Sequence, residues 1–325
     1  MPIQMITTDD CIEQLLAGSA RALARTITWL ENDDPRVVDC MEKLYPYTGN
    51  AFVLGLTGSP GTGKSSLTDQ IARFYRKQDK TVGIVAVDPS SPFSGGALLG
   101  DRVRMNQLSG DPGVFIRSMA TRGFLGGLAQ ATDNVVMAMA ASGKDVIIVE
   151  TVGVGQDEID IMRIADTICL VLAPGFGDII QSMKAGVMEI ADIYVINKSD
   201  HAGADQLYTE VNSRVLQDTQ IKEDHWTPPI VKTVATEKAG IGALAEAIES
   251  HQHQLRDSGD FLEKRRGRIR EQTFQMIHFA LFRLLKEQLV QNGRMEQLVD
   301  AIIERKENPY RAMREIVDEF IKIPA

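Results

Sequence analysis

Residues 58–65 read Gly58-Ser59-Pro60-Gly61-Thr62-Gly63-Lys64-Ser65, a complete GxxxxGK[ST] phosphate loop. No other segment constrains the fold as tightly. Such a loop works only between a strand that leads into it and a helix whose first N–H groups face the bound anion. Both flanks are present: FVLGLT at 52–57 reads as a strand, and the stretch from Ser65 to Gln78 reads as a helix. The glycines let the backbone curl so that successive N–H groups point at phosphate oxygens. Lys64 is placed to reach the β/γ-phosphates and the Ser65 hydroxyl to ligate Mg²⁺, with Ser66 completing the nucleotide-binding run.

Beyond the loop, short apolar runs alternate with helical patterns. The runs are 52–57, 81–87, 114–117, 145–149, 167–172, 193–196 and 230–234, and helical segments at 67–78, 129–141 and 179–191 separate some of them. Several runs are rich in Val and Ile without polar alternation, as expected of strands buried on both faces. The pattern predicts an α/β fold of the P-loop NTPase type, a mostly parallel sheet flanked by helices. Ligands then belong at the C-terminal ends of the strands.

Three organisational parts follow: a helical N-terminal extension over 1–47, the sheet domain over 48–255 and a helical arm over 256–325. In the first, Asp9 or Asp10 is expected to cap a helix, Gly18-Ser19 to interrupt it, and Asp34-Pro35 to open a third helix. In the arm, a basic cluster (Arg265, Arg266, Arg268, Arg270) opens a long helix that Asn292-Gly293 ends, and two amphipathic helices follow at 295–306 and 309–321. The apolar residues of the long helix cover more than one stripe, so it needs cover on a second side, from the sheet domain or from a second copy of the chain.

Two further motifs define the nucleotide. Asn197-Lys198-Ser199-Asp200 follows directly on the strand at 193–196. Asp200 can accept from both N1–H and the 2-amino group of guanine, whereas adenine would leave a buried carboxylate unpaired. Lys198 can lie along the ring face and Asn197 can brace the loop, so GTP/GDP is expected rather than ATP. The strand at 145–149 ends in Glu150, with Gly153 three residues on. That is the arrangement of a γ-phosphate switch, the glycine amide meeting the phosphate and the acid holding Mg²⁺ through water. Val154 stands where Ras-like enzymes carry a water-orienting glutamine, so hydrolysis is expected to be slow without help. Asp88 and Asp101, in loops after the phosphate motif, are candidates for the metal and its water shell.

Composition excludes several classes. Thirty-five Lys and Arg against 44 Asp and Glu leave a net charge of −9, a poor match to nucleic acid or an anionic membrane. No apolar run approaches the roughly 18–20 residues of a membrane span. The N-terminus lacks the pattern of a signal peptide. Three scattered cysteines and five histidines form no CxxC or similar metal motif, which argues against a metal-delivery protein and suits a reducing cytoplasm.

The stretches VDPSSPFSGGALLGDRVRM, RSMATRGFLGGLA, ETVGVGQ and VINKSD resemble the MeaB/ArgK family of GTPases, and the resemblance spans nearly the whole chain. It implies a homodimer formed through the C-terminal arm. It also implies a GTP-dependent chaperone for an adenosylcobalamin-dependent acyl-CoA mutase of the methylmalonyl-CoA mutase type, gating entry of intact cofactor and removal of damaged cofactor. The alternative is a kinase associated with arginine/ornithine transport, the name some members carry. By matching motif, Ser65, Asp88, Asp101 and Glu150 form the Mg²⁺ and catalytic-water neighbourhood. Lys184, in a third switch beginning at Pro174, swings toward the nucleotide when the mutase docks. The base loop, usually Ser-Ala-Leu, is Val234-Ala235-Thr236 here, which predicts retained binding with weaker bracing.

Overall fold

A computed structural model describes residues 7–32, 34–89, 108, 110–121, 127–151, 157–175, 187–219 and 226–320. The sheet strands are β1 (Phe52–Thr57), β2 (Val82–Pro89), β3 (Val114–Thr121), β4 (Val146–Thr151), β5 (Thr167–Leu172), β6 (Ile193–Ile196) and β7 (Ile230–Lys232). They form one sheet in the order β3-β2-β4-β1-β5-β6-β7, and every adjacent pair is parallel. All seven expected apolar runs contain strands; the inner ones are buried between two helical layers, while the edge strands β3 and β7 are largely half-buried. In β5, Ile168, Leu170 and Leu172 point to one layer and Cys169 and Val171 to the other.

One layer holds α4 (Lys64–Arg76) and α8 (Ile241–Asp257), which bury Leu67, Ile71, Leu244 and Ile248 against the sheet. The opposite layer holds α5 (Gly127–Ala141), α6 (Asp157–Ile164) and α7 (Ala204–Thr219). Over α5 lie the N-terminal helices α1 (Thr8–Leu16), α2 (Ala20–Glu31) and α3 (Val37–Leu44), whose Leu15, Leu23, Ile27 and Leu44 are fully buried. Arg117 of β3 pairs with Glu31 of α2, a partly buried link between this layer and the sheet edge. The three cysteines are buried and free.

Local signals held with small shifts. The cap of α1 is Thr7 rather than Asp9 or Asp10. Its hydroxyl accepts from Asp10 N at 3.1 Å while the Asp10 carboxylate accepts from Thr7 N, a reciprocal pair that the aspartates alone could not make. Ser19 caps α2 as the Gly18-Ser19 break suggested. Asp34 does not cap α3. It accepts from Arg36 N at 3.0 Å and holds a turn, so the helix starts at Val37. Residues 187–190 form a 3₁₀ turn where the end of a helix was expected, and the rest of that expected helix, 179–186, lies outside the described residues.

The chain divides into two compact units, residues 1–265 and 266–325. The division falls inside α9 (Asp260–Gln291), which begins before the arginine cluster rather than at it. The second unit also contains α10 (Arg294–Ile303) and α11 (Pro309–Phe320). Within it Leu289 and Ala312 are buried and Arg294 pairs with Glu319. Among the described residues no helix is long and apolar enough to cross a membrane.

Candidate functional site

The phosphate loop joins β1, the central strand, to α4. Its conformation needs glycine at two points where neighbours close in. Gly58 has φ +136°, and a β-carbon there would sit 2.1 Å from the Val171 carbonyl oxygen. Gly63 has φ +94° and caps α4; a β-carbon there would lie 2.3 Å from Asn197 Nδ2. Lys64 is the first residue of α4 and is 6% exposed. Its ammonium donates to the Gly58 carbonyl at 2.6 Å and the Ser59 carbonyl at 3.0 Å, which lays the lysine back across the loop. The first turn of α4, at Lys64, Ser65 and Ser66, is the positive end of the helix.

Glu150 lies at the end of β4, opposite Leu56 of β1 in the register, and is 6% exposed. Ser65 Oγ donates to its Oε1 at 2.5 Å and Thr68 Oγ1 donates to its Oε2 at 2.8 Å. Next in the chain, the Thr151 hydroxyl donates to that of Thr57 at 3.0 Å, tying the switch strand to the last residue before the loop. The acid expected to serve the metal is therefore beside the hydroxyl expected to ligate it. Thr68 carries no sequence motif. Its position three residues after Ser65, on the same helix face, was the available signal.

The base-side motif leaves β6 at the same sheet edge. Asn197 is 2% exposed; its Nδ2 donates to the Thr62 carbonyl at 2.8 Å. Its Oδ1 accepts from Ala235 N and from the Thr233 hydroxyl, both at 3.1 Å. One amide thus joins the phosphate loop to the Val234-Ala235-Thr236 loop, where weaker bracing was expected; Thr233 supplies a hydroxyl that the sequence reading missed. Lys198 takes a left-handed φ of +55°, and Ser199 N donates to the Thr233 carbonyl at 3.1 Å. The Asp200 carboxylate is 46% exposed at the loop's tip, with His201 Nε2 at 3.7 Å, and Thr236 is exposed beside the buried Ala235.

Of the remaining expected residues, Asp88 lies on β2 one residue past Val87, which stands opposite Thr151, so its backbone reaches the same edge. Asp101, Gly153, Val154 and Lys184 lie outside the described residues, as does the third-switch run after Gly175. The edge can chemically hold a polyphosphate between Lys64 and the α4 N-terminus, with a hydroxyl–carboxylate pair on one side and an amide-braced base loop on the other.

Comparison with known proteins agrees with this geometry. Residues 23–289 match the family described as methylmalonyl Co-A mutase-associated GTPase MeaB. Over 314 residues the chain is 48% identical to a Pyrococcus abyssi protein, covering 96% of this chain and 97% of that one. It is 35% identical over 291 residues to GTPase ArgK of Escherichia coli, covering 86% and 88%. It is 34% identical over 278 residues to the mitochondrial methylmalonic aciduria type A homolog of Caenorhabditis briggsae, covering 80% and 67%. Among solved structures, one described as LAO/AO transport system kinase superposes with a TM-score of 0.69 at 27% identity, covering 99% of this chain and all of that one. With residues 23–289 so matched, the chain belongs to the MeaB family of GTP-binding, GTP-hydrolysing proteins.

Proposed function

We propose that this GTPase is an Mg²⁺-dependent chaperone for an adenosylcobalamin-dependent acyl-CoA mutase, gating loading of intact cofactor and removal of inactivated cofactor. The match across residues 23–289 to a family described by its association with methylmalonyl-CoA mutase carries this reading. The relative described as a methylmalonic aciduria type A homolog supports it.

The donor set fits Mg²⁺. Among the described residues no three His, Cys, Asp or Glu side chains converge on a metal position. Magnesium in nucleotide sites needs less than that: it takes one or two hard protein oxygens and completes its shell with water and phosphate. Ser65 and Glu150 offer a hydroxyl and a carboxylate 2.5 Å apart at the phosphate loop. Because a hydroxyl has one proton and two lone pairs, Ser65 can donate to Glu150 and still offer a lone pair to a cation. Held by Ser65 and, through water, by Glu150, the ion would supply charge neutralisation during transfer to water. Lys64 would leave the Gly58 and Ser59 carbonyls for the phosphates, and Asp88 and Asp101 would hold the water shell.

Hydrolysis is slow alone, since Val154 cannot orient water, and accelerates when the mutase brings Lys184 toward the nucleotide. The same reading expects a homodimer through the arm. Within α9, Phe274, Leu281, Phe282 and Leu284 are each more than half exposed on the single chain, a large apolar surface that a second copy would cover. The GTP-bound state biases the switches and the mutase reads that bias, so the coupling must be reciprocal.

Phosphate release from GTP, measured with and without a cobalamin-dependent acyl-CoA mutase of the same organism, tests this. Stimulation of about tenfold or more is expected. An unchanged rate with GTP still bound would overturn the chaperone reading. The superposition on a protein described as a transport-system kinase favours a second reading, phosphoryl transfer to protein. With γ-labelled GTP, label on protein would support it and label in free phosphate would refute it.

A further inference from the structure

Helix α4 presents two hydroxyls three residues apart on one face, and both end on Glu150, at 2.5 Å from Ser65 to Oε1 and 2.8 Å from Thr68 to Oε2. Thr68 is fully buried, next in sequence to the core residue Leu67 and one turn before Ile71. A threonine inside a helix commonly returns its hydroxyl to the carbonyl four residues back. Here the hydroxyl goes to the carboxylate of β4 instead. Glutamate has one more rotatable bond between backbone and carboxylate than aspartate. Each added torsion multiplies the orientations the acid can take and raises the entropy lost when one is selected.

We propose that Thr68 is the positioning residue for Glu150: by holding Oε2 it fixes the rotamer that presents Oε1 to Ser65, and so sets the protein's affinity for Mg²⁺ with nucleotide. This rests on the reading that Glu150 serves the metal. Thr68 is too buried to meet the ion or the nucleotide and acts only through the carboxylate. The two oxygens are thereby divided: one faces the phosphate loop, the other is anchored toward the core one helical turn deeper. Partners of this kind behind a metal-side group alter metal affinity by about 10–100-fold when removed.

The test is dissociation of a fluorescent GDP analogue from the full-length protein as a function of Mg²⁺ concentration. Thr68→Val removes the hydroxyl at nearly constant volume, and Thr68→Ser keeps it. Thr68→Val should raise the Mg²⁺ concentration for half-maximal retention by about tenfold. Thr68→Ser should return it to within about twofold of the parent, and nucleotide release without Mg²⁺ should be unchanged in both. Glu150→Gln runs alongside. In a Glu150→Gln background Thr68→Val should add no further shift, because the two act as a unit. If Glu150→Gln shifts the Mg²⁺ requirement and Thr68→Val does not, the positioning role is overturned and the metal reading stands. Should neither shift it, both fall. If Thr68→Val does not fold, Thr68→Ala takes its place in the same cycle, and a lowered melting temperature with unaltered Mg²⁺ dependence would reduce Thr68 to a packing residue.

Discussion

Asn197 and Glu150 both buttress the phosphate loop from strands near β1, yet they are held in different ways. The Asn197 amide ties main chain to main chain, from the Thr62 carbonyl to the Ala235 N–H. The Glu150 carboxylate meets two side-chain hydroxyls of α4. Backbone partners cannot rotate away without moving a loop, so the base side is a fixed support. The Ser65 hydroxyl can turn and carries spare lone pairs, so on the proposed function it would exchange partners when a cation and a γ-phosphate arrive, while Thr68 keeps hold of Oε2. On the function proposed above, the two supports would divide the work: one would hold the geometry of the nucleotide, and the other would register its state.

The largest expected effect removes what both sides serve. Lys64→Ala should weaken GTP and GDP binding by about a thousandfold, the worth of two charge-assisted hydrogen bonds, in equilibrium titration. Retained affinity would mean the loop does not hold phosphate. Asp200→Asn should shift preference from guanine toward xanthine nucleotides by roughly a hundredfold in competition binding; an unaltered ratio would detach the base from this loop. The contrast itself is sharpened by a pair of variants. Asn197→Ala strands buried groups at Thr62, Thr233 and Ala235, so the nucleotide-free protein should lose about 2–3 kcal/mol in denaturant unfolding. Glu150→Gln should cost less than Asn197→Ala in that state but raise the Mg²⁺ concentration needed to retain nucleotide. Equal losses of stability would erase the distinction between fixed and exchangeable supports.

The smallest effect is placed at the other edge of the sheet. His251 of α8 is buried, its Nδ1 2.8 Å from the Thr167 hydroxyl at the start of β5 and its Nε2 3.3 Å from Asp192. Burial holds its pKa below the ordinary 6.5, with Lys264 acting the same way and Asp192 and Asp166 opposing. The unfolded chain takes up a proton near pH 6.5 that the folded chain resists. The stability from neutral His251 is therefore complete above that pH and lost as pH falls through the lower folded value. His251→Gln should flatten the acid side of the stability profile without changing GTP affinity. An unchanged acid slope would mean that His251 does not govern it.

Much of this was legible in the residues. The strands announced themselves as Val/Ile runs because both faces of a parallel sheet are buried, and β7, an edge strand with half-buried residues, is also the one that ends earlier than its pattern. Motifs placed Lys64, Ser65, Glu150 and Asn197 at one edge because each lies at, or in the turn after, the C-terminal end of a strand. What the sequence concealed depends on contacts between distant segments. Thr233 and Thr68 are ordinary threonines until β7 and α4 are packed beside Asn197 and Glu150. Thr7 was hidden for a local reason, since either neighbouring aspartate makes an equally plausible cap when viewed alone.

The Asn197–Thr62 bond spans 135 positions of the chain. During synthesis the phosphate loop leaves the ribosome long before its amide brace, and the brace is itself incomplete until Ala235 has followed. Contacts this distant in sequence form late, after the entropy of closing the intervening chain has been overcome. A nascent chain ending before residue 197 therefore presents the phosphate loop with its Glu150 support but without the amide that ties it to the base loop. A fully braced nucleotide site reports that the chain through Ala235 has been assembled.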